Sequence, residues 1–296
     1  MAEHTPFHDR DGFIWFNGEL RPWRDATVHV LTHAMHYASA VFEGQRCYGG
    51  QIFALSQHSQ RLIDSARILG FEIPWTREQI DEACKAVVAA NGLSDCYMRP
   101  IAWRGSEQMG VSARRTSINL AIAAWPWGAY FGDDVYEQGL RLGIARYRRP
   151  APWTAPTASK AAGLYMICTI SKHEAEDAGY HDALMFDWRG QVAEATGANI
   201  FFVRDGELHT PTPDCFLDGI TRRTVIDLAR QRGLGIVERA IWPEELETFE
   251  QAFLTGSAAE VSPIGSIGPW RFRVGEIVNQ LRHDYASLVR GRPTNR

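Results

Sequence analysis

The chain is expected to fold as a mixed α/β protein of the α+β kind, in two domains. Three observations point there. Short apolar runs are separated by turn pairs, Asn17-Gly18, Gly49-Gly50, Arg189-Gly190 and Asp205-Gly206, each placing a glycine where a tight β-turn takes one. Between them lie segments with helical spacing of apolar residues. Near the middle, Trp125-Pro126-Trp127-Gly128-Ala129-Tyr130-Phe131-Gly132 breaks the pattern with aromatics, Pro and Gly. The boundaries read as a small N-terminal α/β domain over 1–126, a connector over 127–135 and a larger C-terminal domain over 136–296.

In chain order, Phe13 to Phe16 reads as a strand entering the Asn17-Gly18 turn, and Ala40 to Tyr48 as a strand with Gln51 to Leu55 as its partner. A helix follows from about Ser56, with Leu62, Ala66 and Leu69 inward and Gly70 as its stop. Thr76 and Gln79 have capping-box spacing ahead of an apolar stripe of Ile80, Cys84 and Val87. Tyr97 to Trp103 and Ser117 to Ala124 read as strands of one sheet. In the second half, Leu140 to Ala145 is strand-like and Leu164 to Ala178 helical. Ala183 to Phe186, Gln191 to Glu194 and Asn199 to Val203 form a strand cluster, and a helix starts near Thr221 with Val225, Leu228 and Ala229 inward. Strands interleaved with helices give the α+β class.

The 296 residues suffice for one large or two medium domains, and 45% apolar with 22% charged residues is ordinary for a globular protein. A net charge of −4 gives no basic footprint for nucleic acid. The cysteines are five, an odd number, with no C-x-x-C pair, which favours reduced thiols and a cytoplasmic location. No apolar run is long enough to span a bilayer. No repeat is present, nor H-E-x-x-H, G-x-S-x-G or G-x-G-x-x-G.

Lysine is scarce: only Lys85, Lys160 and Lys172 occur among 31 basic residues. Covalent bonding of a carbonyl through an amine needs a lysine side chain, so each can be weighed. Lys85 lies four residues after Asp81 beside a helical stripe and reads as a solvated, ion-paired lysine. Lys172 precedes His173, Glu174, Glu176 and Asp177 and reads as part of a polar helix face. Lys160, in Pro156-Thr157-Ala158-Ser159-Lys160-Ala161-Ala162-Gly163, has small neighbours that let a bulky ligand approach and no carboxylate close in sequence. The choice there is between a catalytic amine and a surface lysine in a small-residue loop.

Two places could hold an anion. In Asp218-Gly219-Ile220-Thr221-Arg222 a glycine turn opens into a helix, whose free N–H groups and dipole suit negative charge. In Thr255-Gly256-Ser257-Ala258-Ala259-Glu260 a strand runs into a hydroxyl-bearing turn able to form a backbone nest. Either could be plain capping. Glu194 is a carboxylate at a strand end among small residues; if buried it needs a cationic partner, an arginine or a protonated ring nitrogen. His29, His33 and His36 have helical i, i+4, i+7 spacing, but no carboxylate lies between them, so structural histidines are favoured over a metal site.

These pieces resemble the branched-chain aminotransferase family, in the fold type IV (D-amino acid aminotransferase-like) group of pyridoxal-phosphate enzymes. The similar stretches run from Ile14-Trp15-Phe16-Asn17-Gly18-Glu19 through His36-Tyr37, Val41-Phe42-Glu43-Gly44, Tyr97-Met98-Arg99-Pro100, Trp127-Gly128-Ala129-Tyr130, Pro156-Thr157-Ala158-Ser159-Lys160 and Gly219-Ile220-Thr221-Arg222 to Thr255-Gly256-Ser257-Ala258-Ala259-Glu260. The resemblance implies that Lys160 holds pyridoxal 5'-phosphate and serves as acid and base in the 1,3-proton shift. It implies that Glu194 pairs with the pyridine nitrogen and Tyr165 with the phenolic oxygen, while Arg61, Gly219, Ile220, Thr221, Gly256 and Ser257 hold the phosphate. Both candidate anion turns would then serve one group. On the substrate side, Phe42, Tyr130 and Tyr37 would wall an apolar pocket, Tyr97 and the Ser257-Ala258 turn would receive the α-carboxylate, and Arg99 would serve glutamate's second carboxylate. Tyr37 and Val111 belong to segments that reach a neighbouring subunit in the family, so a homodimer is the smallest assembly expected.

The chain departs from the family at three places. Ala198-Asn199 stands where Glu-Asn is common, Leu164 precedes Tyr165 where close relatives have Asn, and Gln45 stands where an aliphatic residue is common. These leave the cofactor set intact and bear on substrate range. The implied reaction moves an amino group between L-leucine, L-isoleucine or L-valine and 2-oxoglutarate. The alternatives are an aminodeoxychorismate-type lyase, a D-amino acid or (R)-amine transaminase, or a non-catalytic binding protein.

Overall fold

The computed structural model describes residues 5–128 and 135–292. The chain divides into two units: unit 1 takes residues up to Gly128 together with Ser159–Gly163, and unit 2 the remainder. Most of the expected connector, including Tyr130, lies outside the described residues.

Unit 1 contains β1 (Phe13–Phe16), β2 (Glu19–Pro22), α1 (His33–Tyr37), β3 (Ala40–Phe42), β4 (Gln45–Tyr48), β5 (Gln51–Ile52), α2 (Leu55–Ile68), α3 (Arg77–Ala90), β6 (Cys96–Arg104) and β7 (Ile118–Pro126). The described strands form one sheet in the order β2-β1-β7-β6-β4-β5, with β3 also paired to β6. The capping box is present: Thr76 Oγ1 accepts from the Gln79 N–H, and Gln79 Oε1 from the Thr76 N–H at 2.8 Å. It starts α3 so that Ile80, Cys84 and Val87 face the sheet, where they bury with Leu62, Met98, Leu120 and Ile122.

Three local expectations change. The single strand expected over Ala40 to Tyr48 is two strands in one register on β6, interrupted at Glu43-Gly44, because Pro100 opposite Glu43 accepts its N–H at 2.8 Å but has no N–H to return. The histidine trio is not on one helix; α1 holds only His33 and His36. Lys85 is solvated and ion-paired as expected, but its partner is Glu82 at 2.7 Å and not Asp81, which accepts the Ser56 hydroxyl at 2.5 Å.

Unit 2 contains α4 (Val135–Gln138), β8 (Leu140–Ile144), α5 (Tyr165–Asp177), β9 (Asp182–Phe186), β10 (Val192–Ala195), β11 (Asn199–Arg204), β12 (Glu207–Thr210), α6 (Ile220–Gln231), β13 (Ile236–Glu238), β14 (Gln251–Gly256), β15 (Glu260–Ile267), β16 (Trp270–Arg271) and α7 (Glu276–Leu288). Its described strands form a second sheet in the order β10-β9-β8-β15-β14-β11-β12-β13, with β16 on β15. β11 and β14 lie inside it, and Ile200, Phe201, Phe202, Ala252, Phe253 and Leu254 are buried whichever face they occupy. That is why both strands read as continuous apolar runs. Phe201 and Phe253, directly opposite in register, stack with centroids 5.0 Å apart. Among the described residues, no helix is long and apolar enough to cross a membrane.

Gln45 is the misfit in this packing. Its amide is buried in unit 1 with neither its oxygen nor its nitrogen in a well-formed hydrogen bond, and the Cys84 thiol beside it is only a weak partner. An unmet buried amide costs about 1–3 kcal/mol. Gln45→Ile, a β-branched side chain on a strand, is therefore expected to stabilise the protein by roughly 1–2 kcal/mol. Urea unfolding checks this, and an unchanged or lower midpoint would mean that the amide is satisfied by buried water.

Candidate active site

The Lys160 segment is stitched to unit 1, although the sequence placed it in the C-terminal domain. The Lys160 N–H donates to Ser65 Oγ at 3.0 Å, the Ser159 hydroxyl to the Ser65 carbonyl at 2.9 Å, and the Phe42 N–H to the Lys160 carbonyl at 3.2 Å. Val41 and Ala161 form an isolated antiparallel bridge. Small residues allow this close backbone approach, and the Lys160 ammonium lies 5.1 Å from the Phe42 ring centroid. Lys172, by contrast, is committed to the His181 carbonyl and to Glu176 at 3.6 Å.

Phe42, Tyr97 and Arg99 come together in unit 1. The Arg99 guanidinium carbon is 4.7 Å from the Phe42 centroid and 5.4 Å from that of Tyr97, and Arg99 Nη2 donates to the Tyr97 hydroxyl at 3.2 Å. Arg99 Nε is buried with no hydrogen-bond partner. The Tyr97 hydroxyl occupies the space a Cβ on Gly44 would need, 2.1 Å away, so the glycine of Phe42-Glu43-Gly44 permits this placement. Trp125 and Trp127, which sequence reasoning passed over as connector aromatics, pack on Tyr97 at 5.3 and 5.1 Å. Arg99 and Trp125 also border an open, largely apolar hollow of about 620 Å³ lined by Phe16, Met35, Ile101 and Trp103.

Arg61 is held by a residue the sequence reading did not single out. Glu43, buried, accepts from Arg61 Nε at 2.6 Å and Nη2 at 2.8 Å, and from the ring nitrogen His58 Nδ1 at 2.7 Å. Burial alone would push the Glu43 carboxyl up, but Arg61 and His58 outweigh it and hold it well below the usual range. Burial depresses His58, so the ring is neutral and donates to the carboxylate. The legible signal was spacing: His58 sits three residues before Arg61 on α2, one turn away.

Tyr37 and Val111 sit elsewhere on unit 1. Tyr37 stacks on His33 at 4.6 Å, and His33 Nε2 donates to the Gly110 carbonyl at 2.9 Å, which joins the two segments. Both side chains are exposed, Val111 to 88%. His36 bonds the Val30 carbonyl and His29 accepts from the Leu31 N–H, so the three rings serve separate local contacts.

In unit 2, Asn199 gathers the predicted residues. Its Nδ2 donates to Glu194 Oε2 at 3.1 Å and to the Leu217 carbonyl at 2.9 Å, and its Oδ1 accepts from the Gly219 N–H at 3.1 Å. A Cβ on Gly219 would lie 2.2 Å from Asn199 Oδ1, so the turn must be glycine there. Asn199 is paired in register with Thr255, the residue before the Gly256-Ser257 turn. Both anion turns and Glu194 are thus set by β11. Ala198, where the family commonly carries a carboxylate, packs its Cβ toward Gly256. Glu194 also faces Arg149, missed in sequence, with 3.4 Å between the charged groups. Burial draws the Arg149 guanidinium down, but Glu194 and its other neighbours more than offset this; burial pushes the Cys168 thiol beside it up to about 11. Tyr165 opens α5.

A phosphorylated pyridine fits these residues. Gly219 leads into the free N–H groups of α6, Thr221 is buried at its first turn, and Thr255 Oγ1 is a buried hydroxyl without a partner.

Removing Glu43 would strand the Arg61 charge. Glu43→Ala is expected to cost roughly 3–5 kcal/mol in urea unfolding. His58 has a folded value below its ordinary 6.5, so the unfolded chain takes up more protons as pH falls through that value. Stability should therefore drop on acidification from about pH 6.5, and His58→Gln should flatten that drop. A wild-type stability curve level across this range would contradict it.

Residues 40–267 match the family described as Amino-transferase class IV. The branched-chain-amino-acid aminotransferase of Pseudomonas aeruginosa is 42% identical over 291 residues, covering 96% of this chain and 95% of the relative. The branched-chain aminotransferase of the thermophilic archaeon Thermoproteus uzoniensis, solved with norvaline, superposes with a TM-score of 0.91 at 36% identity, covering 95% of this chain and 96% of that one. The branched-chain amino acid aminotransferase of Thermobaculum terrenum, solved in its PLP-bound holo form, gives 0.88 at 32%, over 96% of this chain and 95% of that one. With these likenesses spanning both units, the chain belongs to the class IV amino-transferases and, within them, to the branched-chain amino acid aminotransferase family.

Proposed function

We propose that this protein transfers the amino group of L-leucine, L-isoleucine or L-valine to 2-oxoglutarate, using pyridoxal 5'-phosphate. The observation that carries the reading is Arg99: a guanidinium laid on two aromatic rings, with a buried, unpartnered Nε, in otherwise apolar surroundings. Such a pocket accepts a branched hydrocarbon side chain and still offers one cation to glutamate's second carboxylate.

Bound pyridoxal 5'-phosphate supplies an electron sink for the charge left when the α-proton departs. Lys160 Nζ binds the cofactor and moves that proton to and from the substrate α-carbon; the Ser65 and Phe42 contacts fix its backbone. Glu194, oriented by Asn199 and balanced by Arg149, accepts the ring nitrogen's N–H. Tyr165 donates to the phenolic oxygen. Arg61, Ile220, Thr221 and Ser257, with the backbone at Gly219 and Gly256, hold the phosphate. Arg61 enters with its charge already neutralised by Glu43, so it contributes fixed N–H geometry more than net charge. Tyr97 and the Ser257-Ala258 turn take the α-carboxylate. Phe42 and Tyr130, with Tyr37 supplied by the second copy, form the apolar wall that excludes water, Tyr130 lying outside the described residues.

The reading includes a homodimer in the cytoplasm. Val28, Val30, Leu31, Met35, Tyr37, Met109 and Val111 form an exposed apolar set on unit 1, the kind of surface a second copy covers. None of the five thiols is in a disulfide, as a reducing compartment requires.

Purified protein should carry a visible chromophore that L-leucine converts to the pyridoxamine form and 2-oxoglutarate restores, and Lys160→Ala should abolish this turnover. A chromophore indifferent to L-leucine would move the reading to a D-amino acid, (R)-amine or lyase relative. Arg99→Met should slow the glutamate half-reaction by about tenfold or more, while the leucine half-reaction changes little; equal losses would remove Arg99 from its role. Sedimentation should give at least a dimer, and Val111→Asp should weaken it.

A further inference from the structure

We propose that unit 2 carries a separate binding site for a compact polyanion, one bearing phosphate or carboxylate groups, along α7. A cavity of about 480 Å³ is lined there by Tyr136, Glu260, Arg282, Ser287, Arg290 and Arg292, with His283 beside them. Among the described residues, three guanidinium groups thus line one cavity with a single carboxylate, that of Glu260. Asp284, the acid nearest them along α7, is buried and turned away to Arg232, with Nη2 to Oδ1 at 2.7 Å, so it neutralises none of them.

Arg282 is the central feature. It is half-buried, its guanidinium carbon lies 4.6 Å from the Tyr136 ring centroid, and among the described residues it has neither an ion pair nor a hydrogen bond. Stacking holds the group over the ring and leaves its N–H donors for other partners. A partly desolvated guanidinium without acceptors is costly, and an anion in the cavity would supply paired oxygens to those donors. Arginines at the C-terminal end of a helix are explained by its dipole, which accounts for Arg290 and Arg292. Arg282 is in the middle of α7, which spans Glu276–Leu288, so the dipole does not explain it. The volume suits a small ligand such as a tricarboxylate or a short polyphosphate. The site uses no residue assigned above to cofactor or substrate.

The test is calorimetric titration of the holoenzyme with tripolyphosphate and, separately, with citrate, at low salt and at about 0.15 M ionic strength. Saturable binding of one anion per chain that persists at the higher salt is expected. Arg282→Ala with Arg292→Ala should weaken it at least about tenfold and leave the transamination rate without added anion unchanged, which also shows that the variant folds. Ser287→Asp, which keeps every arginine, should weaken it comparably. Binding of both anions assigns the site to polyanions in general; binding of tripolyphosphate alone assigns it to phosphates, and of citrate alone to carboxylates. Binding that vanishes at 0.15 M for both anions, or that is unchanged in these variants, would overturn the proposal.

Discussion

A carboxylate sealed from water governs the N-terminal unit. Glu43 offsets its burial with two cationic or N–H-bearing neighbours, Arg61 and His58, at the junction of β3 and β4. On either side of it, Gly44 meets the Tyr97 hydroxyl and the Phe42 N–H reaches the Lys160 carbonyl. Lysine, aromatic wall and arginine are therefore arranged around one buried ion pair. Replacing a buried pair by apolar residues is often neutral for stability, so its retention is better explained by the geometry it enforces.

Unit 2 reaches the same end through a neutral group. The Asn199 side chain uses both its donor and its acceptor on three partners: a carboxylate, a carbonyl and a glycine N–H. An aspartate there would repel Glu194 and lose the donor to Leu217; an alanine would leave the Gly219 turn without its anchor. Because β11 and β14 are in register, the residue that orients Glu194 also fixes where the second turn begins. The loss of a carboxylate at position 198 leaves this network untouched, since Ala198 packs on Gly256 and takes no part in it.

Charge is handled in two ways. Arg61 and Glu194 each meet an opposite charge within the protein, so both are oriented and already balanced. Arg99 has no such carboxylate among the described residues, and its Nε awaits an acceptor. An anionic acceptor at that Nε would gain a charge-assisted contact beside two ring faces.

Local chemistry was legible in the sequence because short-range rules decide it. The capping box before α3, the turn pairs, the two apolar central strands and the helix opening at Gly219 all follow from spacing along a few residues. So did the standing of the lysines, since acids close in sequence to Lys85 and Lys172 claimed both. What tertiary structure decided is everything that depends on side chains meeting across strands. No spacing rule joins Glu43 to both His58 and Arg61, Asn199 to Gly219, or Arg149 to Glu194. Nor could sequence show that residues 159–163 pack with the N-terminal unit, because the backbone bridge to Val41 and the side-chain hydrogen bonds with Ser65 are set by where β3 and α2 lie. Sequence determines which groups are available; packing, by burying them, decides which must be paired.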